Sequence, residues 1–147
     1  MGRNLVTGPK VGHWVAEQIE GAFWPERSEA IGLEKDDKIV AGVIYENYNY
    51  QTIFCHVSIK GRVTPAFFAA IFDYPFRVCD VHKMIAPVAS GNPKAIRLVK
   101  KLGFTEECRI KDGVSDGDMI FFTMTRDKCR FLGHRYGQKI AKSASSA

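Results

Sequence analysis

Two helix starts in this chain have the residue types needed to hold an anion. The first is residues 92–104, NPKAIRLVKKLGF. Asn92 suits the N-cap, because its side-chain oxygen can accept a free backbone N–H of the first turn. Pro93 suits the first helical position, where a missing N–H costs nothing. Ala95, Leu98, Val99 and Leu102 recur at i, i+3, i+4 and i+7 and make one apolar face, while Lys94, Arg97 and Lys101 line the other. Gly103 can take the left-handed conformation that ends a helix, and Phe104 then returns to the core. The second start is residues 60–66, KGRVTPA, where Thr64 is placed to cap and Pro65 to open a helix. A helix N-terminus offers free N–H groups and partial positive charge. Arg62 and the amides of Val63 and Thr64 are therefore the candidate phosphate contacts. A plain capped helix with a solvated basic face would carry the same residues, so this chemistry stays one of two readings.

Alternating elements position these segments. Residues 5–7 read as a short strand, and residues 10–20 as a helix with Val11, Trp14, Val15, Gln18 and Ile19 on one face. Residues 30–35 and 39–48 form a hairpin across a turn at 36–38, and residues 52–59 form a further strand. Residues 64–76 read as a helix apolar nearly all round, hence buried, and ended by Pro75. Residues 84–90, MIAPVAS, are a buried strand before the Asn92 helix. Residues 104–110 and 119–132 close the core around a turn-rich stretch, KDGVSDGD, at 111–118. The order predicts an α/β fold: a mixed sheet with helices on its faces.

A chain of 147 residues suits one domain with a two- or three-layer core. The expected division is one domain over 1–132 and a basic, flexible tail over 133–147. Residues 126–147 hold six basic residues against Asp127, which accounts for the whole net charge of +5. The basic character therefore belongs to the tail. An arm for nucleic acid is one reading of it. A solvated extension is the favoured one, since little aromatic residue is interleaved beyond Phe131 and Tyr136. No apolar run approaches the ~20 residues of a membrane span, and no apolar leader segment is seen. Cys55, Cys79, Cys108 and Cys129 form no C-x-x-C pair, so no zinc or other metal site is expected. Reduced thiols in a cytoplasm are the expectation.

The Asn92 segment resembles the second signature of the GNAT superfamily of N-acetyltransferases, in which Asn-x-x-Ala/Ser precedes a helix ending in Leu-Gly-Phe. The closing hairpin resembles that of the branch acetylating N-terminal amines of ribosomal proteins. The likeness runs from about residue 30 to 132 and is specific at 92–104. It implies a GNAT-like, mostly antiparallel mixed sheet, splayed between the strands at 54–59 and 85–88, with helices on both faces. It implies acetyl-CoA as cosubstrate and a primary amine as acceptor. The pantetheine arm would lie along Val57 and Ile59 and meet Asn92. The pyrophosphate would meet Gly61, Arg62, Val63 and Thr64, and Lys94, Arg97 and Lys101 would meet CoA phosphates.

The chain departs from the pattern in two places. The phosphate loop lacks its second glycine, and Pro65 removes a donor. Val99 and Ala95 stand where relatives carry Tyr and Ser, so no general acid is evident. Glu46 and His56 are the candidate bases, His being the side chain that titrates near neutrality. Cys55 and His56 are not a nucleophile–base pair, because adjacent strand residues point to opposite faces. Tyr45, Tyr48 and Tyr50 are candidates for an aromatic wall on the acceptor side. The alternative is a non-catalytic binding or assembly module of the same fold. The amine acceptor and a possible homodimer are left open by the sequence.

Overall fold

The structure is a computed structural model that describes residues 3–19 and 27–132. Its strands are β1 (Arg3–Thr7), β2 (Glu29–Lys35), β3 (Lys38–Glu46), β4 (Thr52–Ile59), β5 (Lys83–Ala89), β6 (Thr105–Val114) and β7 (Gly117–Thr125). Its helices are α1 (Pro9–Ile19), α2 (Pro65–Asp73) and α3 (Pro93–Leu102). The strands form one sheet in the order β1-β2-β3-β4-β5-β7-β6. Every neighbouring pair is antiparallel except β4–β5, which is parallel. This is the mixed, mostly antiparallel α/β sheet expected from the sequence. The tail over 133–147 lies outside the described residues.

Each face of the sheet carries its own core. On one face α1 packs Val11, Val15 and Ala16 against Ala30 and Ile44. The approach is close because β3 offers no side chain at Gly42. A Cβ there would lie 2.7 Å from Val15, inside any ordinary contact. On the other face α2 and α3 cover the larger core, with Phe67, Phe72, Val99 and Leu102 packed on Val43 and Ile53. Phe131, from the 3-10 turn at Arg130–Leu132, stacks on Phe72 at 4.8 Å and 4°.

Local chemistry sets the turns. Asp36 and Asp37 both have positive φ, at 52° and 65°, between the paired Lys35 and Lys38, as a two-residue hairpin turn requires. β3 ends at Glu46, two residues short of the expected end, because Asn47 turns to φ 55°. Asn49 then caps the return, its Oδ1 accepting the Thr52 N–H at 2.8 Å. The stretch at 111–118 is mostly strand and not the turn its composition suggested. Asp112, at φ 57°, absorbs a shift in the ladder, and its N–H is taken by the Asp118 carboxylate at 3.1 Å.

The helix expected over 64–76 is also corrected. α2 ends at Asp73, and a π turn continues through Tyr74–Val78. Pro75 has no N–H to give the Ile71 carbonyl. The coil widens instead of stopping, so the Cys79 N–H reaches back five residues to the Tyr74 carbonyl at 2.9 Å. The hydroxyl of Tyr45, on β3, donates to the Ile71 carbonyl. Burial pushes the Tyr45 phenol well above its ordinary range, so it stays a donor. Among the described residues, no helix is long and apolar enough to cross a membrane.

The Tyr45–Ile71 bond ties β3 to the end of α2 and gives the first prediction. Tyr45→Phe deprives a buried carbonyl of that hydroxyl and should cost about 1–3 kcal/mol. Urea denaturation reads this as a lower midpoint at unchanged slope. An unchanged midpoint would show that Ile71 is satisfied without Tyr45.

Candidate active site

β4 and β5 run side by side for only three residue pairs, Thr52↔Lys83, Ile53↔Met84 and Phe54↔Ile85. Beyond them the strands part. Each stays paired on its far side, β4 to β3 as far as Ile59↔Ala41 and β5 to β7 as far as Ala89↔Met119. The result is a cleft through the sheet with unpaired strand edges on its walls. Pro87 stands on the β5 wall. A proline is tolerated in a strand where its missing N–H leaves no ladder bond unmade, and an open edge is such a place.

The inner part of the cleft is a cavity of about 380 Å3. Cys55, His56 and Val57 of β4 line it, with Asn92, Ala95 and Val99 of the α3 segment opposite. The outer part, about 160 Å3, is lined by Val57, Ile59 and Lys60 and by Asn92 and Lys94. Asn92 caps α3, its Oδ1 accepting the Ala95 N–H at 3.1 Å. The same residue faces both parts of the cleft. Gly103 ends α3 at φ 110°, as its type requires.

Five of the named residues thus gather on the cleft: His56, Val57, Ile59, Asn92 and Lys94. The loop at 61–64 lies just beyond Lys60, and none of its residues lines the two cavities. Thr64 caps α2, its hydroxyl accepting the Phe67 N–H at 3.2 Å. The amides of Lys60 and Gly61 both donate to the Val40 carbonyl, at 2.7 and 3.1 Å. Gly61 therefore has no amide left for a ligand, while those of Val63 and Thr64 have no partner among the described residues. Arg97 and Lys101 are exposed on the outer side of α3, away from both cavities.

The two candidate bases stand together. Register places Ile44 opposite His56 and Glu46 opposite Phe54, so Glu46 and His56 are diagonal neighbours on the α1 face. His56 Nε2 lies 2.7 Å from Glu46 Oε1. The side chains are 22% and 23% exposed, which shields the pair without sealing it. A carboxylate on Nε2 holds the proton there and leaves Nδ1 to accept another. The sequence offered these residues as separate alternatives, since a diagonal contact depends on strand register.

Glu46 also borders a second cavity, about 420 Å3, at the end of the sheet where β4 begins. Tyr45, Tyr48 and Tyr74 wall it, with Ser28 and Glu29 from the start of β2. Tyr50 does not reach it; it is exposed and packs against Tyr48 at 4.9 Å. Burial, with Cys79 alongside, pushes the Tyr74 phenol far up. Neither Ser28 nor Glu29 carries a sequence signal beyond its place before a strand. Among the described residues no three His, Cys, Asp or Glu side chains gather to hold a metal ion.

Solved structures share this architecture. Mutant forms of the spermidine/spermine N-acetyltransferase SpeG from Vibrio cholerae match at 18% identity and TM-score 0.68, over 86% of this chain and 96% of theirs. Another SpeG mutant from the same organism matches at 15% identity and TM-score 0.69, over 90% and 98%. A protein described only as a probable acetyltransferase matches at 18% and 0.57, over 69% and 63%. The chain has the fold of these acetyltransferases. At such identities the likeness is one of architecture. No family model and no curated protein matches the sequence.

The cleft thiol gives a prediction. Burial raises Cys55 to about 12, so at pH 8 it is a protonated, unreactive thiol. Iodoacetamide at pH 8 should label the exposed Cys108 well before Cys55, as read by peptide mass spectrometry. Early labelling of Cys55 would mean that the cleft activates it.

Proposed function

We propose that the chain is an acetyl-CoA-dependent N-acetyltransferase acting on a primary amine by direct attack. The observation that carries this reading is the parting of β4 and β5, with a His–carboxylate pair at the inner end of the gap. A strand edge with unmade backbone bonds accepts an extended, amide-bearing chain as it would another strand. The pantetheine arm is such a chain, and it would lie along Val57 and Ile59 with Asn92 across from it. Lys60 and Lys94 put positive charge at the outer end, where the pyrophosphate would sit with Arg62 and the free amides of Val63 and Thr64. Arg97 and Lys101 would meet the adenosine phosphates.

In the reaction the amine nitrogen attacks the thioester carbonyl. The N–C bond forms, the C–S bond breaks and the electron pair leaves on sulfur. Unpaired β4 amides stabilise the oxygen as charge develops. His56 Nδ1 takes the proton from nitrogen, and Glu46 steadies the imidazolium that results. Ala95 and Val99 line the cleft near the leaving group and cannot donate, so solvent protonates the thiolate. Spermidine is the acceptor named for the structural neighbours, and small polyamines join protein N-termini as acceptor classes for this chain. Four free cysteines fit a reducing compartment such as the cytoplasm. The loss of the Gly61 amide to Val40 is what favours a second reading, a binding module that holds no CoA.

Calorimetry with acetyl-CoA separates the two. The transferase binds it and releases heat, whereas no heat at millimolar ligand would leave the binding module. For the chemistry, His56→Gln should lower the rate roughly 10²-fold at pH 7. Raising the pH should restore part of it, because more amine is then already neutral. A pH–rate profile identical to wild type would remove His56 from the reaction.

A further inference from the structure

The 420 Å3 cavity beneath the cleft has the makings of an acceptor pocket. We infer that it receives an aliphatic amine bearing a second positive charge, its distal ammonium held by Glu29 and its reacting nitrogen delivered to the Glu46–His56 pair. This rests on the transferase reading above and adds to it the pocket that would select, among its acceptor classes, an amine with a second charge.

Four observations carry the inference. Glu46 lines this cavity while its partner His56, 2.7 Å away, lines the cleft. A ligand filling the cavity thus ends one hydrogen bond from the candidate base. Glu29 sits opposite Tyr45 in the β2–β3 register, so it shares the Tyr45 side of the sheet while Glu46 lies on the other. The cavity wraps the end of β3 and joins them. Two carboxylates there outnumber the one cation, Arg27, and Glu29 pairs with no described residue.

The walls favour a cation with an alkyl body. The hydroxyls of Tyr45 and Tyr48 donate to the carbonyls of Ile71 and Cys79. What these residues offer a ligand is their rings, which attract ammonium groups and pack on methylenes. Finally, Ser28 borders the cavity at 9% exposure, and its hydroxyl is a buried polar atom with no partner among the described residues. A buried hydroxyl without a partner is costly, and rotation of the Ser28 side chain toward the cavity would let an ammonium N–H satisfy it.

The test titrates 1,5-diaminopentane and butylamine into the full chain, with acetyl-CoA titrated separately. The diamine should bind at least about tenfold more tightly than the monoamine. Glu29→Gln should erase that difference and leave acetyl-CoA affinity unchanged. Tyr48→Ala, at a half-exposed position that tolerates truncation, should weaken both amines severalfold. Equal affinity of the two amines for wild type, or a preference that survives Glu29→Gln, would overturn the pocket assignment. An absence of acetyl-CoA heat would instead end the transferase reading, while the diamine titration still decides the pocket.

Discussion

The parting of β4 and β5 after three pairs is the constraint on which the rest of this molecule is arranged. Two parallel strands side by side ordinarily satisfy each other's amides and carbonyls, and leaving them unmade in a protein interior is costly. The sheet sustains the gap because neither strand depends on the other. β4 is held by a full antiparallel ladder to β3, and β5 by a seven-pair ladder to β7. α1 on one face and α3 on the other then roof the gap without closing it. The open backbone edges are stable as a surface only if water or a ligand reaches them, so the cleft is built to be filled.

A second proline works in the same manner. Pro75 could have ended α2, yet the chain winds on as a π turn because Tyr45 supplies the donor that Pro75 lacks. That single hydroxyl couples the middle of the sheet to the far end of the helix. It also fixes where Tyr74 and Cys79 stand, and so shapes the cavity below the cleft. The π turn, and the pocket wall that Tyr74 and Cys79 make, follow from that one missing N–H.

What was legible in the sequence follows from range. The Asn92 cap, the Pro93 start and the Gly103 stop act within one helix, and each stands in the structure as its residue type dictates. The hairpin at Asp36–Asp37 and the Thr64 cap are equally local. The pairing of Glu46 with His56 is not local, since it depends on which residues face each other across β3 and β4. The length of the β4–β5 ladder is a property of two strands 24 residues or more apart. One signal did exist, Pro87 in the middle of an otherwise central strand, where a lost donor argues for an open edge. At Pro75 the usual rule misled, because its force depends on whether another group can serve the orphaned carbonyl. The turn-rich composition of 111–118 misled for a similar reason: the Asp118 carboxylate accepts the Asp112 N–H, so the strand continues through a residue that would otherwise break it.

Charge is distributed along β4 in a way that none of its residues reveals singly. At its C-terminal end Lys60 joins Lys94 from α3 around the narrow outer cavity. Beside its N-terminal half stand Glu46, opposite Phe54 on β3, and Glu29 on β2, with three tyrosine rings near them. The two ends thus differ in the sign of their charge, and the Glu46–His56 contact links the carboxylate cavity to the cleft. Under the transferase reading, opposite charges at the two ends would keep donor and acceptor from exchanging places. They would also bring a protonated amine to the carboxylate end, where a base must act before nitrogen can attack. A cleft with uniform charge would gather one partner and repel the other. The polarity of this one suits the meeting of an acyl donor carrying phosphates with an acceptor carrying ammonium groups.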